Sequence, residues 1–125
     1  MNRYIPSRLP PAVAKIVKAV PELENSYKVH ISEHDGSVLG YIFLPDAVRE
    51  LENQERDGRF GGDTLDRLSQ AIEDELASSD PATEDLIALG LLEELANSSL
   101  WGEIRKKLGQ RARAQLREMG IPVET

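Results

Sequence analysis

The fold is decided by residues 80–97, which read DPATEDLIALGLLEELAN. Asp80 followed by Pro81 is typical of a helix start, because Asp offers a side-chain acceptor and Pro has a preset φ angle. Placed at about 100° per residue, the apolar side chains cover most of the circumference: Ala82, Leu86, Ile87, Leu89, Leu91, Leu92, Leu95 and Ala96. Only the direction that holds Thr83, Gly90, Glu94 and Asn97 lacks bulky apolar groups. A helix of this kind needs neighbours on several sides. We therefore predict a central core helix in which Leu89 is buried.

The composition describes one domain without cysteine chemistry. The chain has 125 residues, enough to bury a substantial core, and no cysteine. Disulfides, thiolate metal sites and cysteine nucleophiles are therefore excluded. The N-terminal residues MNRYIPSRLPP contain no apolar run like that of a secretory signal, and residues 80–97 are too short and too acidic for a membrane span. We expect a cytoplasmic protein with the single domain 1–125.

Charge is distributed unevenly along the chain. The net charge is −7, but residues 22–103 alone carry −15, while 1–21 and 104–125 carry +4 each. Such an acidic middle repels nucleic acid and anionic membrane and favours a basic partner. Simple solubility is the alternative explanation for any one of these acids.

Hydrophobic periodicity predicts a mainly α domain with one small hairpin. Residues 10–20 have helical spacing, whereas 27–32 alternate like a strand, Asp35-Gly36 signals a turn, and 38–44 are β-branched and aromatic. The second arm, 38–44, is alternatively the start of a helix. The predicted fold is a compact bundle of about five helices with an N-terminal β-hairpin, and is α+β by virtue of that hairpin.

The remaining helices are predicted as follows. Pro45 allows a helix to begin, with Val48 and Leu51 inward. A polar loop follows at 55–62, and we expect Phe60 to pack against the domain and hold this loop in place. Helix 63–77 has Asp63 as its cap and the inward residues Leu65, Leu68, Ile72 and Leu76, while Arg67, Gln70 and Asp74 face away. The last helix runs from about 100 to 119, after the cap Ser98-Ser99, and is ended by Gly120.

Catalytic motifs are weak, so we expect no enzyme, no metal and no cofactor. His30-Ile-Ser-Glu33-His34 matches the spacing of inverted zinc proteases, but that chemistry needs both histidines on one face of a helix. The predicted strand and turn argue against it, which leaves a zinc-dependent hydrolase as a remote third hypothesis. Six basic residues lie between 105 and 117, and we interpret them mainly as partners for a neighbouring acidic helix rather than for nucleic acid.

Residues 63–118 resemble small acidic bacterial immunity-type proteins associated with polymorphic and contact-dependent toxins. The resemblance rests on the inward leucines of helix 63–77, on Asp80-Pro81 with LIALGLLEEL (86–95), and on KKLGQRARAQL (106–116). It implies a non-enzymatic protein that binds a cognate toxin domain, for example a nuclease with a basic cleft, and blocks it. The main alternative is a helical adaptor or regulator that binds another basic protein.

We predict that the partner is bound by outward residues of helix 63–77 and by the start of the next helix. These residues are Asp63, Asp66, Gln70, Asp74, Glu84 and Asp85.

Overall fold

The computed structural model describes residues 12–34, 40–78 and 80–123, and these residues are mainly helical. The helices are α1 (Ala12–Ala19), a 3₁₀ turn (Pro21–Leu23), α2 (Glu24–Glu33), α3 (Gly40–Arg56), α4 (Thr64–Leu76), α5, α6 (Trp101–Ile104) and α7 (Gln110–Glu118). Helix α5 is continuous and consists of Pro81–Asp85, the π-helical segment Leu86–Leu92 and Glu93–Ala96. The predicted count of about five helices is therefore wrong, since the described residues form seven α-helices.

The predicted β-hairpin is also wrong, because the described residues contain no strand. Residues 27–32 lie in α2, and 40–44 begin α3, which is the alternative that the sequence left open. Leu23, Tyr27 and His30 turn inward at helical spacing, while Val29 is exposed. Packing at a period of 3.6 residues overrides β propensity over so few residues. The turn at Asp35-Gly36 lies outside the described residues.

Helix α3 extends through the proline that was expected to begin it. Pro45 lies inside the helix, and Phe43, Leu44, Val48 and Leu51 form a buried stripe on both sides of it. The inward positions predicted for Val48 and Leu51 are confirmed, and Phe60 of the following loop packs against the core as expected.

Helix α5 occupies the centre that the sequence predicted, but with a different face outward. Ile87, Leu91 and Leu92 are buried at 0–2% exposure, whereas Leu89 is 51% exposed and Gly90 is buried. The expectation that Leu89 is buried is therefore wrong. In the π-helical segment the backbone hydrogen bonds span five residues instead of four, so the side chains no longer follow the 100° spacing assumed for an α-helix.

Helix α4 has the predicted inner face, and Arg67 ties it to the N-terminal corner. The guanidinium of Arg67 donates to both carboxylate oxygens of Glu22, at 3.0 and 2.7 Å, and to the Ala19 carbonyl at 3.2 Å. The Thr64 hydroxyl donates to Glu22 at 2.7 Å. The hydrogen bonding from Arg67 has the largest effect, and together with that from Thr64 it lowers the pKa of Glu22 to about 2. Arg67 therefore does not simply face away from the core. The Asp63 carboxylate accepts a hydrogen bond from Arg67 and none from the backbone at the start of α4, so the predicted side-chain cap at Asp63 is absent.

The predicted C-terminal helix is broken between α6 and α7 by a contact from α4. The Glu73 carboxylate accepts the backbone N–H of Arg111, at 2.7 and 3.1 Å, and so caps the start of α7. A Cβ at Gly109 would collide with the Glu73 carboxylate, so the absence of a side chain at position 109 allows Glu73 to reach the start of α7. The predicted end at Gly120 is confirmed: its φ is 76°, and the Ile121 N–H reaches the Leu116 carbonyl at 2.9 Å.

We predict that Leu91→Asp unfolds the domain and that Leu89→Asp does not. A carboxylate at position 91 is buried without a partner, a change that costs several kcal/mol, about as much as the stability of a small domain. A carboxylate at position 89 is in water, so we expect a change of about 0.5 kcal/mol. Urea denaturation of the two variants measures the difference. Equal destabilisation would contradict the observed orientation of α5.

We predict that Glu22→Gln weakens the fold at neutral pH by about 1–3 kcal/mol, because it removes the charge from bonds with Arg67. The pKa of Glu22 is about 2 in the folded chain, against an ordinary value of 4.5. The stabilisation is therefore complete above pH 4.5 and is lost as the pH falls towards 2.

Urea denaturation between pH 7 and pH 2.5 should show the stability gap between wild type and Glu22→Gln closing with acid. Glu55→Gln is the matched control, since Glu55 is exposed and its side chain makes no hydrogen bond or ion pair to a described residue. A gap that stays constant with pH would show that the Glu22 charge does not stabilise the fold.

Candidate functional site

The acidic residues predicted to bind a partner lie on the outer side of α4 and at the start of α5. Asp63, Asp66, Gln70, Asp74 and Asp85 are exposed, and Glu84 is half-buried. The structure therefore leaves these side chains at the surface, but it divides them into two groups according to their internal partners.

The first group is neutralised inside the molecule. Asp63 forms an ion pair with Arg67 at 3.1 Å, and the hydrogen bond from Arg67 lowers the pKa of Asp63. Asp66 receives a hydrogen bond from the Lys107 ammonium at 2.8 Å. The Asp66 carboxylate thus links α4 to the segment that follows α6, whereas the Asp63 carboxylate pairs with the next turn of α4 itself.

The second group consists of carboxylates that remain available. Asp74 accepts a hydrogen bond from Gln70 at 2.9 Å, which leaves its charge uncompensated. Neither it nor Glu84 nor Asp85 forms an ion pair with any residue that the structure describes. These three acids are therefore the strongest candidates from the predicted set for contact with a basic partner.

Beside Asp85 the surface becomes apolar. Within 85–93 the exposed positions of α5 are Asp85, Leu89 and Glu93, so these three residues share one outward line. The ring of Tyr41 lies over Gly90: a Cβ built at Gly90 would be 3.6 Å from Tyr41 Cδ1. Tyr41 nevertheless remains 55% exposed. We call Tyr41, Asp85, Leu89 and Glu93 the Tyr41 face.

The electrostatics of Tyr41 agree with this arrangement. Partial burial is the main reason that the pKa of its hydroxyl is raised, and the negative charge of Asp85 raises it further. The phenol and the Asp85 carboxylate therefore belong to one local environment, with an aromatic ring at its centre and acids at its edge.

Sequence reasoning missed this face. It favoured a strand at Tyr41, with a helix start as the alternative, and it placed Leu89 in the core. The available signal was Gly90, since a glycine inside a strongly helical pattern often marks the close approach of another element. Here a Cβ at Gly90 would lie 3.3 Å from both Leu44 and Leu86.

The basic C-terminal residues only partly follow the predicted pairing with acidic neighbours. Lys107 pairs with Asp66 of α4 as predicted, whereas Lys106 pairs at 3.6 Å with Glu103, which lies three residues earlier and not on a neighbouring helix. Arg113 instead donates to the backbone carbonyls of Leu108 and Arg105, at 2.9 and 3.0 Å. No arginine of 105–117 forms an ion pair with a described residue, so the prediction is wrong for the arginines.

The histidine motif lies on a helix, contrary to the strand that the sequence predicted. His30 is in α2 and His34 is its C-cap residue; their rings are 4.3 Å apart, and His34 Nδ1 donates to the His30 carbonyl at 2.8 Å. Burial, then the neighbouring His34, lowers the pKa of His30. Among the described residues, no group of three or more His, Asp or Glu side chains is placed to hold a metal ion.

Comparison of the chain with protein-family models, with curated protein sequences and with solved structures gives no match. Across 12–34, 40–78 and 80–123, no helix has the length and apolar character needed to cross a membrane.

We predict that Gly90→Ala is less stable than Gly102→Ala, because the first adds a methyl group where α3 meets α5. At Gly102 an added Cβ meets nothing within 4 Å. Alanine there should therefore gain the helix-propensity difference of about 0.5–1 kcal/mol. At Gly90 the same gain is offset by tight contacts with Leu44 and Leu86. Thermal and urea denaturation measure the stability of both variants. Equal stabilisation by the two substitutions would contradict close packing of α3 on Gly90.

Proposed function

We propose that this chain is a non-enzymatic binding protein that neutralises a basic toxin domain in the cytoplasm, as an immunity protein does. The observation that carries the proposal is the set of surface carboxylates without an internal cation: Asp74, Glu84 and Asp85, continued by Glu93 on α5. Such a surface attracts a partner of opposite charge.

The physical advantage of this surface is rapid and selective capture. Complementary charges raise the association rate by steering, and they suppress partners of the wrong sign. A nuclease domain suits this chemistry, because a cleft that binds phosphates is itself basic. Covering such a cleft with carboxylates excludes the nucleic acid by charge and by volume.

The internal ion pairs determine which of the predicted residues take part. Asp63 and Asp66 already satisfy Arg67 and Lys107, so a partner would have to compete with those cations. Asp74, Glu84 and Asp85 can meet a basic partner without breaking an internal ion pair. The proposed contact region is therefore displaced from the start of α4 towards the end of α4 and the start of α5.

A helical adaptor for some other basic protein would use the same surface. The two functions differ in the consequence of binding, because only an immunity protein restores growth to cells that express its partner. The test is therefore co-expression with the protein domain encoded beside this chain, followed by purification of the complex. A domain that is harmless alone, or toxic but not neutralised, would contradict the immunity function.

We predict that the double variant Asp74→Lys, Asp85→Lys associates with that domain at least about tenfold more slowly at 0.01 M ionic strength. The difference in association rate between the variant and wild type should be smaller at 0.15 M, because the Debye length falls from about 30 Å to about 8 Å. Stopped-flow kinetics measures the rates, and growth assays measure protection.

The matched control is Glu55→Lys, Glu118→Lys, which makes the same change in net charge at two other exposed acids. Rates for the control should stay within about twofold of wild type at 0.15 M, because charges beyond a Debye length are largely screened. Equal slowing by both double variants would show that net charge, and not the surface around Asp74 and Asp85, governs association.

A further inference from the structure

Three of the large apolar side chains that the described residues expose are concentrated on neighbouring turns of α3 and α5. Tyr41 is 55%, Ile42 50% and Leu89 51% exposed. Clustered apolar side chains at a surface are typical of interaction sites, whereas isolated ones need no explanation. The contact of the Tyr41 ring with the Gly90 position joins the two helices into one surface.

The backbone is unusual at the same place on both helices. On α5, Leu89 projects outward from the π-helical segment Leu86–Leu92, and π-helical turns occur frequently at functional sites. On α3, Pro45 has no N–H, so the Tyr41 carbonyl cannot receive the hydrogen bond that residue i+4 normally donates in a helix. An acceptor therefore stands next to the exposed ring.

The charges around these apolar groups select the partner. Asp85 and Glu93 lie one before and one after Leu89 on the exposed line of α5, and neither has an ion-pair partner among the described residues. Two copies of the chain joined symmetrically through this face would bring four carboxylates together, and like charges in an interface repel each other. An anionic membrane would be repelled in the same way.

We propose that Tyr41 and Leu89 are the apolar anchor of a docking site for a basic protein segment. The segment that fits presents an apolar or aromatic side chain to Tyr41 and Leu89, with Lys or Arg side chains on either side that reach Asp85 and Glu93. This proposal rests on the proposed function for the charge of the partner, but it does not require the partner to be a toxin.

The division of roles within the site follows from the chemistry of interfaces. Tyrosine is enriched among the few residues that carry most of the binding energy, since its ring buries a large area at little entropic cost. Acids at the rim act mainly on the association rate. Truncation of Tyr41 or Leu89 should therefore raise the dissociation rate, whereas reversal of Asp85 or Glu93 should lower the association rate.

The probe is a synthetic 18-residue cationic amphipathic helix that has leucine on one face and arginine on the other. Its control is the same peptide with every leucine replaced by serine, which keeps the charge. Binding is followed by ¹⁵N NMR shifts and by the anisotropy of a dye-labelled peptide. The leucine peptide should shift amides around positions 41 and 89, and the serine peptide should bind at least about tenfold more weakly.

The variants are Tyr41→Ala, Tyr41→Phe and Leu89→Gln. Each of Tyr41→Ala and Leu89→Gln should raise Kd about tenfold, through the dissociation rate, while Tyr41→Phe retains most of the affinity. Val29→Ala is the matched control, since Val29 is exposed to 47% on α2 and lies outside the Tyr41 face. Leu89→Gln alters only an exposed side chain, so the test remains valid even if Tyr41→Ala destabilises α3.

Three results would overturn the proposal. The first is an equal loss of affinity in Val29→Ala and Leu89→Gln; the second is equal binding of the leucine and serine peptides. The third is a wild-type dimer in sedimentation that Leu89→Gln dissociates, which would assign the face to a second copy of the chain.

The same variants separate this proposal from the proposed function. If the peptide binds at Tyr41 and Leu89 but the chain does not protect cells from the domain encoded beside it, the immunity function is ruled out and the docking site stands. Full protection by Leu89→Gln and Tyr41→Ala, together with a wild-type affinity of both variants for the leucine peptide, would overturn the docking site and leave the proposed function standing.

Discussion

The close approach of α3 to α5 at Gly90 is the constraint on which the rest of the structure depends. A glycine at the contact allows Leu44 of α3 to reach the backbone of α5, so that α5 is enclosed by neighbours on most sides. The same approach lays Tyr41 over α5. In the π-helical segment the register changes, which leaves Leu89 outside while its neighbours on the helix stay buried. The apolar surface next to Asp85 is thus a product of the core packing and not an addition to it.

The acids of this chain serve two purposes that the net charge does not separate. Glu22, Glu73 and Asp66 are structural: they hold Arg67, cap α7 and pair with Lys107, respectively. Each joins parts of the chain that are far apart in sequence. Asp74, Glu84, Asp85 and Glu93 have no ion-pair partner among the described residues, and they lie at the surface of α4 and α5. The negative surface that a basic partner of the proposed kind would meet is therefore smaller and more localised than the −15 of residues 22–103 indicates.

Local periodicity predicted the elements that depend on local pattern, and contacts between distant residues explain where it failed. The inner faces of α1 and α4, the central position of α5 and the stop at Gly120 all follow from spacing and from the preference of glycine for positive φ. The strand predicted for 27–32 was wrong because six residues of alternation are compatible with a helix face, and at 40–44 the structure has the helix start that the sequence left open as the alternative. The break before α7 depends on Glu73, which is 38 residues from Arg111. For the site, sequence identified exposed acids, but the position of Tyr41 over Gly90 exists only after α3 packs on α5.

Charge alone would make a poor recognition device for such a protein. An acidic surface attracts every basic protein in the cell, including those that bind nucleic acid, so attraction must be combined with a feature that unwanted partners fail to satisfy. An apolar anchor between carboxylates provides that feature. A partner that carries only positive charge approaches quickly but leaves the ring of Tyr41 and the side chain of Leu89 in contact with water, and it dissociates quickly. A partner that also covers both side chains gains the burial of apolar area, which lengthens the lifetime of the complex without altering the rate at which it forms. Steering and discrimination are then properties of adjacent residues on two helices, fixed in relation to each other by one glycine.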